Sequence, residues 1–102
     1  MVTYKILQIK DIENTAYAFR PFKPDIFNIE DYEVRYTGEA KEEYSDAELC
    51  DAIFDIFNTQ RPEGFTGHSL SMSDLVWLER NGRIRVYYCD LVGWQKIKEV
   101  RS

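Results

Sequence analysis

Hydrophobic and polar residues alternate along two stretches of the N-terminal half of the chain. From Val2 to Ile6 every second side chain is apolar, which predicts a β-strand over residues 3–9. The same pattern from Tyr32 to Tyr36 predicts a second strand over residues 31–37. Residues 11–31 show no such period and contain two prolines, so they are interpreted as a short helix or extended segment followed by a loop.

A helical period begins after Ser45. Ser45 and Glu48 have the spacing of a capping box, in which each side chain bonds to the backbone N–H of the other residue. Apolar residues then recur every three or four positions, which predicts an α-helix over about 46–58. Three acids, Glu48, Asp51 and Asp55, fall within a sector of roughly 60° on that helix. We therefore expect the helix to pack its broad apolar side and to expose an acidic stripe.

The C-terminal half contains a β-hairpin signal. Asn81-Gly82 is the preferred pair for a two-residue type I′ turn, and it separates two β-rich runs over residues 70–79 and 83–89. The turn fixes the register, with Arg80 facing Arg83. The core face is predicted to carry Leu75, Trp77, Ile84, Val86 and Tyr88; the opposite face is predicted to carry Val76, Leu78, Tyr87, Arg80, Arg83 and Arg85. Gly93-Trp94 suggests a turn and a last short strand.

These elements predict one domain over residues 1–102 of the α+β class. A small antiparallel sheet with a C-terminal hairpin would carry one main amphipathic helix on one face, because strands and helix do not alternate as in a parallel sheet. The 15% aromatic content supplies enough apolar area to exclude a disordered chain. No apolar run is long enough to span a membrane, and the N-terminus lacks a signal peptide, so a cytoplasmic protein is expected.

Acidic residues are concentrated in one third of the chain. Residues 25–55 hold eleven acids against two bases, a net of −9, although the whole chain has a net charge of only −5. Such a block can be a solvated face that keeps a small protein soluble, or a negative surface for a basic partner. Direct binding of nucleic acid is disfavoured, because contacts with phosphates need a basic surface.

The sequence shows no established catalytic or metal-binding motif. Cys50 and Cys89 lie far apart without a CxxC pair, and His68 is the single histidine, so two buried free thiols and no metal or cofactor are predicted. His68, three serines and Asp74 fall within seven residues, but no GxSxG elbow is present. We expect His68 and Ser69 to bond to backbone in a turn after Gly67, and we predict no enzyme.

The run from Gly64 to Val76, with its Gly-His-Ser-Leu-Ser-Met-Ser-Asp core, resembles the YodL-like domain. Asn81-Gly82, Tyr87-Tyr88-Cys89-Asp90 and Gly93-Trp94 continue the resemblance, which spans nearly the whole chain. It implies a protein of conjugative elements, plasmids or phages of Gram-positive bacteria, where this domain often accompanies anti-restriction domains. It implies no catalytic residue. In setting and size the chain is also similar to small anti-CRISPR proteins.

Charge and resemblance together give a leading hypothesis and two alternatives. In the first, the protein inhibits a host defence nuclease, a type II CRISPR effector, through Asp46, Glu48, Asp51 and Asp55. In the second, it is a scaffold module of plasmid transfer machinery that uses the hairpin face with Arg80, Arg83 and Arg85, where guanidinium groups could also contact anions. The third is an enzyme that uses His68 and Asp74. The oligomeric state is left open.

Overall fold

The computed structural model describes residues 1–101, which form a five-stranded antiparallel sheet and one α-helix. The elements in chain order are β1 (Val2–Ile9), β2 (Tyr32–Ala40), α1 (Asp46–Thr59), β3 (Leu75–Arg80), β4 (Arg83–Cys89) and β5 (Trp94–Arg101). The strands are ordered β2-β1-β3-β4-β5, so β2 and β5 form the edges. The predicted α+β class, with one main helix on an antiparallel sheet, is confirmed.

Helix α1 begins as the sequence predicts. The Ser45 hydroxyl accepts a hydrogen bond from the Glu48 N–H at 3.2 Å, and the Glu48 carboxylate accepts one from the Ser45 N–H at 2.9 Å. Both bonds of the capping box are therefore present. Leu49, Ile53 and Phe57 are buried against the sheet. Within residues 1–101, no helix combines the length and the apolar character that crossing a membrane requires.

The hairpin between β3 and β4 has the predicted turn and register. Asn81 and Gly82 both have positive φ angles, of 50° and 74°, as a type I′ turn requires. Arg80 pairs with Arg83, and Leu75 pairs with Tyr88. The last strand, β5, was expected to be short but continues as an eight-residue edge strand along β4.

The predicted start of the hairpin at residue 70 is wrong, because β3 begins at Leu75. The preceding residues form a turn in which Ser73 adopts a φ of 80°. The Asp74 carboxylate accepts a hydrogen bond from the Ser71 N–H at 2.9 Å and closes this turn. Ser69, Ser71 and Ser73 therefore precede the strand, and none of them belongs to it.

Both faces of the sheet are covered, which corrects the predicted hairpin faces. Leu75, Val86 and Tyr88 lie on a buried face, as expected. Val76 and Leu78, however, are also buried, because α1 packs on their face of the sheet. The prediction that only the face with Leu75, Val86 and Tyr88 belongs to the core is therefore wrong. Helix α1 covers the face of the sheet that carries Val76 and Leu78.

Residues 10–31 cover the second face with aromatic side chains and turns. They contain neither an α-helix nor a strand, only successive turns and a short 3-10 turn at Ile29–Asp31, so of the predicted short helix or extended segment followed by a loop only the loop is found. The Tyr17 and Phe27 rings pack on each other, and the Phe27 ring packs against Tyr88 on the sheet. Trp77, assigned to this core, is only half-buried, and the Lys5 ammonium lies 4.4 Å from its ring centroid.

The two cysteines are buried free thiols, as predicted. Burial raises the pKa of Cys89 to about 11 and raises the pKa of Cys50 further. Both thiols are therefore protonated at neutral pH and pack as small hydrophobic side chains.

Candidate functional site

The acidic stripe of α1 is exposed, and its three carboxylates have different local roles. Glu48 closes the capping box, and the hydrogen bond from the Ser45 backbone lowers the pKa of its carboxyl group. Asp51 accepts a hydrogen bond from the indole N–H of Trp94 at 3.2 Å. The Asp55 side chain has no hydrogen bond or ion pair within residues 1–101. Only Asp55 can thus be replaced without loss of an internal bond.

Asp46, the fourth predicted acid, faces inward toward the hairpin. Its carboxylate lies 3.0 Å from the Arg80 guanidinium and 3.4 Å from that of Arg85. The Tyr87 hydroxyl donates a hydrogen bond of 2.6 Å to the same carboxylate. Burial, together with the hydrogen bond to the Asp46 carboxylate, raises the pKa of Tyr87 above its usual value. Asp46 therefore ties the start of α1 to β3 and β4.

The three arginines of the hairpin bond to groups within the protein. Besides Asp46, Arg80 donates hydrogen bonds to the backbone carbonyls of Glu42 and Tyr44, at 3.1 Å and 2.7 Å. Arg83 and Arg85 both contact the Glu99 carboxylate, at 3.3 Å and 3.2 Å. Hydrogen bonds from Lys96 and Arg85 lower the pKa of Glu99 to about 2. Facing Arg80 and Arg83 thus have separate carboxylate partners, which offsets their repulsion.

An open groove of about 510 Å³ lies between α1 and the end of β2. Its floor is formed by the inner side of the helix, with Leu49, Ile53 and Phe57. Its walls are apolar as well and include Tyr44, Ala52 and Ile56. Charged side chains line it at Glu39, Lys41 and Glu48. Glu48 lines the groove and belongs to the acidic stripe, so the two surfaces adjoin and form one candidate interface.

The His68–Asp74 segment, the possible hydrolytic constellation, contributes a buried polar cluster. Gln8 on β1 donates hydrogen bonds to the His68 carbonyl at 2.9 Å and to the Asp74 carboxylate at 3.0 Å. The His68 ring nitrogen Nδ1 lies 2.7 Å from the Ser69 carbonyl. The Ser73 hydroxyl accepts from the Phe19 N–H at 3.0 Å. No serine hydroxyl bonds to His68 within residues 1–101, and these contacts anchor the loop to the sheet.

Gly67 is required where this loop crosses Gln8. A Cβ atom at position 67 would lie 1.9 Å from the Gln8 side-chain oxygen and 3.1 Å from Arg35 Cγ. Gln8 is fully buried and held by two hydrogen bonds, so it cannot turn away without breaking them. The glycine in the Gly-His-Ser core therefore serves close packing.

We expect Gly67→Ala to lower the free energy of unfolding by roughly 1–3 kcal/mol, the usual cost of overpacking a filled site. Denaturant titration measures this loss. In a Gly67→Ala/Gln8→Ser double variant the shorter side chain vacates the space, so the combined loss should be smaller than the sum of the single losses. Additive losses would show that the two residues do not clash.

Several residues of the site gave no signal in the sequence. Gln8 lies within an alternating strand pattern, and only its position opposite Asp74 in the fold gives it a role. Ala52 and Ile56 belong to the apolar positions of the helix, and we expected the core to cover them; both are exposed at the groove. Tyr44 lies in the loop before α1 and carries no motif.

Comparison with known proteins gives one family. The model of the YodL-like domain matches residues 3–100, nearly the entire chain. No curated protein and no solved structure matches the chain.

Proposed function

The chain belongs to the family of YodL-like domains, and on that premise we propose that it is a non-enzymatic mobile-element protein that binds and inhibits a host defence nuclease. The nuclease would be a type II CRISPR effector, and the contact would be made by the acidic face of α1 with the adjoining loop. The mobile-element setting that the family implies supplies the choice of target.

The observation that supports this proposal is that most acidic side chains in residues 25–55 form no ion pair, whereas the arginines of the hairpin do. Of the eleven acids in residues 25–55, only Glu33, Glu42 and Asp46 form ion pairs within residues 1–101. The three hairpin arginines are all paired. Glu43, Glu48, Asp51 and Asp55, which lie in α1 and the loop before it, therefore carry negative charge without an ion pair, whereas the three guanidinium groups are engaged.

A nuclease provides the complementary surface. The channel of a nucleic-acid enzyme is positively charged because it holds phosphates, and a compact acidic surface competes for the same charges. Complementary charge also speeds association, and salt screens it over about 8 Å at physiological ionic strength. Inhibition by this protein should accordingly weaken as salt concentration rises.

The scaffold alternative requires a partner to bind the hairpin face that carries Arg80, Arg83 and Arg85. The structure makes that face less accessible. Val76 and Leu78 are covered by α1, and Arg80 and Arg85 bond to Asp46. An interaction through this face would need the helix to move. The acidic face needs no rearrangement.

We expect Glu43→Lys/Asp55→Lys to weaken binding to a purified type II CRISPR effector at least tenfold, because two attractive charges become repulsive. Both residues are exposed, and neither belongs to the capping box or bonds to Trp94. The fold should therefore be nearly unchanged, since surface substitutions usually cost within about 0.5 kcal/mol each. Binding is measured by titration at two salt concentrations, with DNA cleavage as the activity readout.

The matched control is Glu13→Lys/Asp25→Lys, which changes net charge equally in the segment that covers the other face of the sheet. Its affinity should stay close to that of the wild type. Equal weakening by both double variants would mean that net charge, and not the α1 face, governs binding. Absence of binding to type II effectors would refute the proposed target.

A further inference from the structure

The groove beside α1 exposes apolar side chains that the fold itself does not cover. Tyr44 and Ile56 retain 45% and 40% of their surface exposed, and Ala52 between them is also exposed. Below them, Leu49, Ile53 and Phe57 belong to the core. Contiguous apolar surface of this kind, when bordered by polar groups, marks interaction sites in soluble proteins. The groove thus has the form of a receptor for an apolar side chain.

Charge at the groove selects among possible occupants. Glu39 and Glu48 line it against one base, Lys41, and Glu43 and Asp55 are exposed nearby in the chain. A cationic side chain next to an apolar anchor would meet these carboxylates, whereas an acidic one would be repelled. Neither Glu39 nor Glu48 forms an ion pair within residues 1–101, and the Glu48 carboxylate accepts only the capping-box hydrogen bond from the Ser45 N–H.

We propose that this groove binds a short segment of a partner protein that carries an aromatic or large aliphatic anchor flanked by Lys or Arg. The inference rests on the proposed function in one respect: the segment would belong to the nuclease that the acidic face contacts. The anchor enters between Ala52 and Ile56 and packs on the core residues beneath them. The flanking base lies near Glu39 or Glu48.

The dimensions favour a peptide segment. The volume of about 510 Å³ falls within the roughly 300–1,000 Å³ of sites that accept drug-sized compounds, which is more than a single side chain needs. Such compounds are usually buried over most of their surface, whereas this groove is open along α1. An open groove with apolar anchoring and a charged rim fits the way interfaces combine a buried aromatic anchor with a polar border.

The test uses a phage-displayed library of random twelve-residue peptides selected on the wild-type protein. We expect enrichment of peptides that pair an aromatic or aliphatic residue with Lys or Arg. Synthetic copies of the enriched peptides should bind Ala52→Trp at least tenfold more weakly, because the indole fills the groove. Ala47→Trp is the matched control, because it adds the same side chain at an exposed position of α1 outside the groove. Its dissociation constant for the same peptides should stay within twofold of the wild-type value.

Two further variants keep the result interpretable. If Ala52→Trp lowers thermal stability, Ile56→Ser removes one apolar wall from an exposed position and should weaken the same peptides. Glu39→Lys should weaken peptides with a flanking base and leave their Ser-substituted versions unchanged. Thermal unfolding of every variant shows whether the fold is retained.

The inference is overturned if no peptide is enriched, if enriched peptides lack basic residues, or if Ala52→Trp binds them as well as Ala47→Trp does. Sedimentation of the wild type adds another overturning outcome, since a dimer that Ala52→Trp dissociates would assign the groove to a second copy of this chain. None of these measurements uses the nuclease. Failure of the groove is therefore distinguished from failure of the proposed function, which the effector titration tests.

Discussion

Replacing Phe57 with alanine lowers the free energy of unfolding by roughly 3–5 kcal/mol, the range for emptying a large aromatic site in a core. Phe57 is 2% exposed and lies between α1 and the sheet. Its ring centroid is 5.0 Å from that of Tyr36 and 5.1 Å from that of Phe65, both at steep interplanar angles. The substitution leaves a cavity and removes these edge-to-face contacts, which add to the cost of lost burial. Urea titration followed by circular dichroism measures the change.

Phe54 provides a control of the same residue type on the same helix. It is only partly buried, and its ring packs at 6.2 Å against Trp94 near the edge of the sheet. Phe54→Ala should therefore cost less than half as much as Phe57→Ala. Equal losses would mean that α1 docks on the sheet with a face other than the one that carries Leu49, Ile53 and Phe57.

The helix and the hairpin were predictable because their signals are local. Ser45 and Glu48 are three residues apart, and the bonds between them need no other part of the chain. Asn81 and Gly82 set the turn, and the turn sets the pairing of the flanking strands. Where structure is specified within a few residues, the sequence shows it directly.

The buried faces of the sheet were harder to predict, because the segments that cover them lie far from the strands in the sequence. The run Leu75-Val76-Trp77-Leu78 is apolar on both sides, which is typical of a strand buried on both faces. A strand with one face in solvent would instead alternate apolar and polar residues. The second cover is the aromatic segment of residues 10–31, which packs without helical or strand periodicity and so leaves no pattern to detect.

The candidate site was only partly predictable for the same reason. Helical geometry places Glu48, Asp51 and Asp55 on one exposed face, and the structure agrees. Asp46 differs because its partners lie far along the chain: Arg85 is 39 positions away. The groove forms because the end of β2 and the loop after it lie beside α1. No sequence pattern predicts the contact between these segments.

Asp74, which holds the loop before β3 against the sheet, makes the stability of the protein depend on pH. It is 2% exposed, and its carboxylate accepts hydrogen bonds from Gln8 and from the Ser71 N–H. Burial raises its pKa from 3.8 to about 6 despite those bonds. The folded protein therefore favours the protonated form. The resulting stabilisation is fully present below about pH 4 and is lost as pH rises through about 6.

We expect the stability difference between Asp74→Asn and the wild type to shift in favour of the variant by roughly 2 kcal/mol between pH 4 and pH 7. A pKa difference of one unit corresponds to about 1.4 kcal/mol, and the unfolded carboxyl group is already partly ionised at pH 4. Asparagine keeps an oxygen for the two hydrogen bonds and carries no charge to desolvate. Denaturant titrations of both proteins across this pH range measure the difference. Carboxylates with lowered pKa values, such as Glu99, occur in both proteins and cancel.

Two charged or titratable side chains act on the Asp74 carboxylate, and one of them, His68, requires a control variant. The His68 ring and the Arg35 guanidinium both act on the carboxylate and favour its ionised form. Histidine side chains titrate in the same pH range, so His68→Gln is compared with His68→Gln/Asp74→Asn. If Asp74 is responsible, the difference between these two proteins still changes with pH in the same direction. A difference that is constant from pH 4 to pH 7 in both backgrounds would mean that Asp74 ionises in the folded protein as it does in the unfolded chain, and the buried cluster would then not resist its charge.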